Sequence, residues 1–332
     1  MEKQIQWGII GVGDVCERKS GPAFQKVPGS DLLAVMRRNG EKARDFADRH
    51  GVPKWYDDGQ ALINDPGINA IYIATPPDSH AHYTRLAAVA GKPVYVEKPM
   101  ARTYAECLEM IQVCEKHQVP LFVAYYRRAL PNFLKIKELL EDQAIGQVRL
   151  VDIKLFKPLH QDWQGNPMDE TNWRLTPEIS GGGHFYDLAS HQLDFLDFVL
   201  GPVVEAQGIA ANQAGMYPAE DLVTGHFRFA SGVIGQGMWC FTTGVTSRIE
   251  QTRIVGDGGE ISFAYFGDPT VNLRRDGHPD EVFTFTYPPH IQQPLIQSIV
   301  ATLQGVGSCP STGESGVRTN WVMEMLVYGG VR

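Results

Sequence analysis

The stretch Gln4-Ile5-Gln6-Trp7-Gly8-Ile9-Ile10-Gly11-Val12-Gly13-Asp14-Val15-Cys16 is a short apolar run that breaks into a glycine turn. The turn reads G-x-G-x-x-C, where dinucleotide-binding folds carry G-x-G-x-x-G/A. Gly11 permits the tight turn and Gly13 lets a diphosphate approach the backbone. Cys16 is small enough for the helix–strand contact demanded of the third position. The helix that follows offers N–H groups and the positive end of its dipole to phosphates. Cofactor contacts are therefore expected at Gly11, Gly13, Asp14 and Val15. A plain glycine-rich turn is the bland alternative, and the rest of the chain decides between the two.

Apolar runs recur at Leu32–Met36, Ala70–Ala74, Val94–Val96 and Leu121–Ala124, separated by helical patterns at Glu41–His50, Ser79–Ala90 and Tyr104–His117. Runs without in/out alternation suit a parallel sheet covered on both faces. Strand–helix alternation suits a doubly wound α/β domain. Past Ala124–Pro131 the pattern changes to a helix at Asn132–Glu141, a strand at Gln147–Phe156, a Trp/Pro/Gly-rich loop from Lys157 to Gly183, and a helix at Phe185–Leu200. Strands then follow one another from Val203 to Tyr287, clearest at His226–Phe229, Val233–Phe241, Thr252–Val255, Glu260–Ala264 and Val282–Thr286. Two helices, Ile291–Leu303 and Val317–Val327, close the chain. Serial strands predict an antiparallel or mixed sheet. The expected architecture is an N-terminal Rossmann domain over 1–124, a doubly wound parallel sheet. A C-terminal α+β domain over 125–332 follows, with a large, open, mostly antiparallel sheet. An open sheet face needs a partner, so a homodimer or homotetramer through that sheet is expected.

The 332 residues make about two domains. Thirty Lys+Arg against 38 Asp+Glu leave a net charge of −8, which argues against nucleic acid as the partner. Hydrophobic residues at 43% and charged residues at 20% are an ordinary globular balance. The sequence holds no apolar run of about 18 residues, so no membrane span is expected. The N-terminus lacks the pattern of a secretory signal. Cys16, Cys107, Cys114, Cys240 and Cys309 form no C-x-x-C pair. No disulfide framework is expected, and the setting predicted is a soluble, reducing, cytoplasmic one.

The second apolar run ends in Val35-Met36-Arg37-Arg38-Asn39, about 20 residues past the glycine turn. NAD-binding domains place an acidic residue here to bond the ribose 2′-OH. A carboxylate repels a 2′-phosphate, whereas a guanidinium pairs with it bidentately. Arg37 and Arg38 therefore predict NADP, with NAD as the alternative and two solvated arginines as the bland reading.

Three further motifs line up with the turn: Thr75-Pro76-Pro77-Asp78-Ser79-His80 after the third run, Val96-Glu97-Lys98-Pro99 after the fourth, and Gly181-Gly182-Gly183-His184-Phe185-Tyr186-Asp187-Leu188-Ala189-Ser190-His191 opening the long helix. In this order and spacing, the set resembles the Gfo/Idh/MocA oxidoreductase family over nearly the whole chain. Val123-Ala124-Tyr125-Tyr126-Arg127-Arg128 resembles the family's domain junction, and Trp173-Arg174 also fits it. The resemblance implies nicotinamide-dependent hydride transfer on a sugar, cyclitol or related polyol. It places Lys98, Asp187 and His191 at the catalytic positions and Glu97 near the nicotinamide ribose. Thr75, Pro76, Pro77 and His80 are expected at the cofactor. Two positions depart from the family pattern: Cys16 stands for Gly or Ala, and Arg37 for the frequent Asp.

The residues themselves suit that chemistry. At about 100° per residue, His184, Asp187, His191 and Asp194 share one stripe of a helix whose other positions are largely apolar. A carbonyl accepting hydride develops negative charge on oxygen, which Lys98 can stabilise. His191 can move the hydroxyl proton near neutral pH, and Asp187 can orient either cation. Tyr126, Arg128, His160, Trp163, Trp173, Arg174 and His184 are the candidates for the substrate, because rings cover a sugar face and Arg or His bonds its hydroxyls. Two other classes stay open: an NADP- and sugar-binding regulatory protein without catalysis, and a metal-dependent hydrolase using the His/Asp stripe, with His80 and His82 as further ligands. The glycine turn and Glu97-Lys98-Pro99 have no role in the hydrolase, so no metal is expected.

Overall fold

The computed structural model describes residues 4–159 and 173–330, and the chain divides into two compact units. His160 and Trp163, expected at the substrate, lie outside the described residues.

The first unit alternates β1 (Ile5–Ile10), α1 (Asp14–Arg18), β2 (Ser30–Met36), α2 (Gly40–His50), β3 (Lys54–Tyr56), α3 (Gly59–Asn64), β4 (Ala70–Ile73), α4 (His80–Val89), β5 (Val94–Val96), α5 (Tyr104–Lys116) and β6 (Leu121–Val123). The strands pair in parallel in the order β3-β2-β1-β4-β5-β6. This is the Rossmann order, and its carboxyl-edge crevice lies where the order reverses beside β1 and β4. Every residue of β4, β5 and β6 is buried, which explains their unbroken apolar runs. Side-chain caps set the helix starts: Asn39 accepts from Lys42 N at 3.0 Å, and Asp58 from Ala61 N at 2.7 Å. Trp7, Phe24, Tyr72 and Tyr95 form an aromatic core, with the two tyrosine rings stacked 4.7 Å apart.

The second unit contains α6 (Pro131–Glu141), β7 (Val148–Phe156), α7 (Pro177–Ser180), α8 (Gly183–Leu200), β8 (Val203–Ala211), β9 (Leu222–Phe229), β10 (Ile234–Cys240), β11 (Ile249–Gly256), β12 (Gly259–Phe263), β13 (Thr270–Arg275) and β14 (Glu281–Thr284). The eight strands run β14-β13-β12-β11-β7-β10-β9-β8. Every neighbouring pair is antiparallel except β7 and β10. One face is core: Val223, Phe227, Trp239, Ile254, Ile261 and Val271 are buried. Trp239 Nε1 donates to Gln192 Oε1 on α8 at 2.7 Å, which pins the helix to that face. Phe133 and Phe195, 4.8 Å apart, extend the packing to α6. The other face keeps Ile209, Ile234 and Met238 at 73%, 48% and 42% exposure. It also carries a hollow of about 440 Å³ lined in part by Gln207, His226, Gln236 and Met238.

The chain ends with α9 (Gln293–Gln304) and α10 (Gly313–Tyr328). The segment Tyr287–Val317 belongs to the first unit and Arg318–Arg332 to the second, a return that a single division at residue 124 does not provide for. Thr312 forms a β-bridge to Phe122, and Ser311 Oγ donates to Val123 O at 2.7 Å, so this returning segment completes the β6 edge. Among the described residues, no helix is long and apolar enough to cross a membrane.

Candidate active site

In the first unit the expected cofactor residues cluster at the carboxyl ends of β1, β2, β4 and β5. Gly11 takes φ +94°, and a methyl there would stand 2.6 Å from Thr75 Cγ2 and 2.8 Å from Thr75 N. Only glycine suits that site. Gly13 is extended, and nothing lies within 4 Å of where its Cβ would stand. The turn thus leaves an open space against its backbone, which fits a diphosphate. The helix that begins at Asp14 spans five residues. Cys16 is fully buried beneath the turn, and burial pushes its thiol up to about 12, so it serves as packing.

Arg37 and Arg38 follow β2, Arg37 half-buried and Arg38 exposed. After β4, Ser79 Oγ donates to Thr75 Oγ1 at 2.7 Å, and Pro77–Ser79 forms a 3-10 turn. The His80 ring lies inside this loop, with Nε2 2.8 Å from Thr75 O and Nδ1 3.1 Å from Met100 O. Burial holds its pKa below the usual value, against the pull of those carbonyls. Its visible task is to tie the Thr75 and Met100 backbones together.

Glu97 and Lys98 follow β5, and the Lys98–Pro99 peptide is cis. Glu97 is 7% exposed and fully engaged. Its Oε1 accepts from Tyr72 OH and from Gln292 Nε2, each at 2.6 Å, and its Oε2 accepts from Lys98 N at 3.1 Å. Gln292 and the two tyrosines have no motif to announce them, because Gln292 is 195 residues from its carboxylate partner. Tyr126 is buried under the Arg127 guanidinium, 5.1 Å from its ring centre. Burial opposes ionisation of its phenol, but Arg127, Lys19 and Lys98 overcome that and hold its pKa below the usual value. Arg128 is buried and donates to Pro310 O at 2.9 Å.

In the second unit, α8 starts at Gly183, whose N–H is received by Ser180 Oγ at 3.0 Å. It carries His184, Asp187 and His191 on successive turns. Asp187 Oδ2 lies 3.6 Å from Arg174 Nε, and the Arg174 guanidinium stands 4.4 Å from the centre of the Trp173 ring. Trp173, Arg174 and Asp187 are therefore one group. His191 is buried, with the Phe266 ring 5.9 Å away. His184 is 2% exposed, and burial, helped by the nearby Lys157 cation, pushes its pKa down to about 4. Its Nε2 and the hydroxyl of Tyr217, whose ring lies edge-on at 5.8 Å, are buried without a hydrogen-bond partner among the described residues. Lys157 at the end of β7 and Tyr217 were not singled out by sequence, since neither sits in a motif. Among the described residues, no group of three or more His, Cys, Asp or Glu is placed to hold a metal ion.

Residues 5–125 match the GFO/IDH/MocA oxidoreductase family with an NAD-binding Rossmann fold, and residues 133–262 match the GFO/IDH/MocA C-terminal domain. Oxidoreductase P35 of Formosa agariphila is 39% identical over 328 residues, 98% of this chain and 99% of that one. The 1,5-anhydro-D-fructose reductase of Ensifer adhaerens is 27% identical over 320 residues, 94% of this chain and 92% of its own. In fold, the chain is similar to a levoglucosan dehydrogenase solved with NADH and levoglucosan. The TM-score is 0.85 at 21% identity, covering 98% of this chain and 96% of that one. A Rossmann unit with an open glycine turn, a mostly antiparallel second unit and full-length similarity to an oxidoreductase leave one assignment: the chain belongs to the Gfo/Idh/MocA oxidoreductase family.

Proposed function

We propose that the chain transfers a hydride between a nicotinamide dinucleotide and a sugar, cyclitol or related polyol or carbonyl compound, with NADP ahead of NAD. The observation that carries the reading is the open space at Gly13 at the same sheet edge as the Glu97-Lys98 segment. The bound dinucleotide supplies hydride exchange at its nicotinamide ring. Gly11, Gly13, Asp14 and Val15 receive its diphosphate through the backbone, with Thr75, Pro76 and Pro77 beside them and His80 holding that loop. Glu97 orients the nicotinamide ribose. Arg37 and Arg38 form the 2′-phosphate grip, since two guanidiniums stand where a ribose-binding carboxylate would repel that group.

Lys98 places an ammonium at the substrate oxygen that gains negative charge on reduction. His191 donates the hydroxyl proton in that direction and removes it in oxidation. Asp187, braced by Arg174, orients the reacting groups. Tyr126, Arg128, Trp173, Arg174 and His184 are the groups for the sugar. His184 acts as a neutral hydrogen-bonding group, in line with its lowered pKa. The open face of the eight-stranded sheet pairs with a second copy. The five free cysteines, all but Cys240 buried, fit a reducing compartment such as the cytoplasm.

Lys98→Met tests the assignment. The variant loses the cation while keeping the length of the chain, so kcat should fall by several orders of magnitude while NADPH still binds. Turnover within a few-fold of wild type would refute the role of Lys98.

A further inference from the structure

Glu97 is held from a distant part of the sequence. Gln292 lies just before α9, is 1% exposed, and is pinned on three sides. Its N–H donates to Lys19 O at 3.1 Å, its Oε1 accepts from Tyr95 OH at 2.7 Å, and its Nε2 donates to Glu97 Oε1 at 2.6 Å. The Glu97 carboxylate, which only accepts, fixes the direction of the amide by taking its NH₂, and the Tyr95 hydroxyl holds the Oε1 left on the other side. Tyr72 OH donates to the same Glu97 oxygen. The other titratable groups near this cluster are Cys16, whose buried thiol stays protonated, Cys309, likewise raised by burial, His80 and Tyr126, with Lys98 and Lys19 beside Tyr126. The three donors to Glu97 hold its carboxylate in one orientation, and Lys98 is the next residue of the same chain.

We infer that Gln292 is a positioning residue: held by Tyr95, it fixes the Glu97 carboxylate and through it the backbone that presents Lys98. The inference rests on the reading of Glu97 and Lys98 given above. A buried carboxylate with one donor removed can turn, and a misplaced catalytic group costs rate even when the substrate still binds. Burial alone would have been met by an apolar side chain, so an amide held between a tyrosine hydroxyl and a carboxylate is a built device.

Three variants test it. Gln292→Leu removes the donor, Tyr95→Phe removes only the hydroxyl that holds its oxygen, and Gln292→Glu keeps the shape while making the donor depend on a proton. For Gln292→Leu, kcat should fall roughly ten- to hundredfold, the scale of one lost hydrogen bond to a charged group, with the sugar KM little changed. Tyr95→Phe should show a smaller fall of the same kind. Gln292→Glu should work near wild-type level in acid, where the protonated acid still donates to Glu97. It should fail as pH rises, since two carboxylates in that contact share one proton and then repel. The affinity for reduced cofactor, read by nicotinamide fluorescence, should weaken over the same pH range in that variant and not in wild type. A purely structural glutamine would lower the melting temperature without producing this pH step. Wild-type kcat and cofactor affinity in Gln292→Leu, or a Gln292→Glu profile that overlays wild type, overturns the inference. A wild-type protein that turns over no sugar would overturn the proposed reaction instead, while the cofactor titrations would still judge Gln292.

Discussion

Replacing Gly13 by Ala separates the two tasks of the glycine turn. Its backbone, φ −133° and ψ −161°, is open to any residue, and no atom lies within 4 Å of the added carbon. Folding stability should therefore stay within about 0.5 kcal/mol of wild type, or rise slightly as the unfolded chain stiffens. The methyl occupies the space that a diphosphate needs in order to reach the backbone N–H groups. Losing one charge-assisted hydrogen bond costs about 1.5–3 kcal/mol, or roughly ten- to hundredfold in Kd. Gly11→Ala should behave in the opposite way. At φ +94°, with a backbone nitrogen 2.8 Å from the new carbon, the turn itself is strained. The left-handed conformation alone costs about 1–2 kcal/mol, before Thr75 is displaced. The assay is a thermal melt of each variant beside a fluorescence titration with NADPH and NADH. A Gly13→Ala protein that melts like wild type and binds both cofactors like wild type would refute the placement of the diphosphate.

Wild type should show a lower Michaelis constant for NADPH than for NADH. Arg37→Asp should raise the NADPH value roughly ten- to hundredfold by losing a charge-assisted contact and adding repulsion; equal constants in wild type would remove the 2′-phosphate grip. His184 has a folded pKa of about 4, below the roughly 6.5 of an unfolded histidine, so the unfolded chain takes up the proton first as pH falls. The stability this buried neutral ring contributes is complete above about pH 6.5 and declines towards pH 4, by at most about 3 kcal/mol. Urea midpoints measured across that range should show a loss that His184→Gln lacks. Light scattering at micromolar concentration should find a dimer or a multiple of one, and Ile234→Lys with Met238→Lys, on the exposed sheet face, should shift it to monomer. A monomeric wild type would refute pairing through that face.

The sequence was most legible where local chemistry dictates structure. The buried strands β1, β4, β5 and β6 have no polar alternation, and α8 has an apolar surface broken by one polar stripe. The short edge strand Lys54–Tyr56 escaped notice because Lys54 and Trp55 are exposed, which leaves no apolar run to read. The parallel pairing of β7 with β10 was equally hidden, since register between strands some 80 residues apart follows from tertiary packing. At the site, Gly11, Gly13, Glu97, Lys98, Asp187 and His191 sit in recognisable spacings. Gln292, Tyr72 and Tyr95 act through contacts whose partners come from different strands and a distant turn, and no spacing encodes such a meeting. Lys157 and Tyr217 beside His184 are of the same kind.

The return of Tyr287–Val317 to the Rossmann unit bears on how the molecule can be made. A ribosome releases β1 to β6 early, but Glu97 lacks Gln292, and the edge of β6 lacks Ser311 and Thr312, until synthesis has passed the second unit's sheet strands. Excising the first 124 residues would thus yield a nucleotide-binding half with an unfinished border. Recombining this half with another partner domain would require grafting two separate pieces of chain.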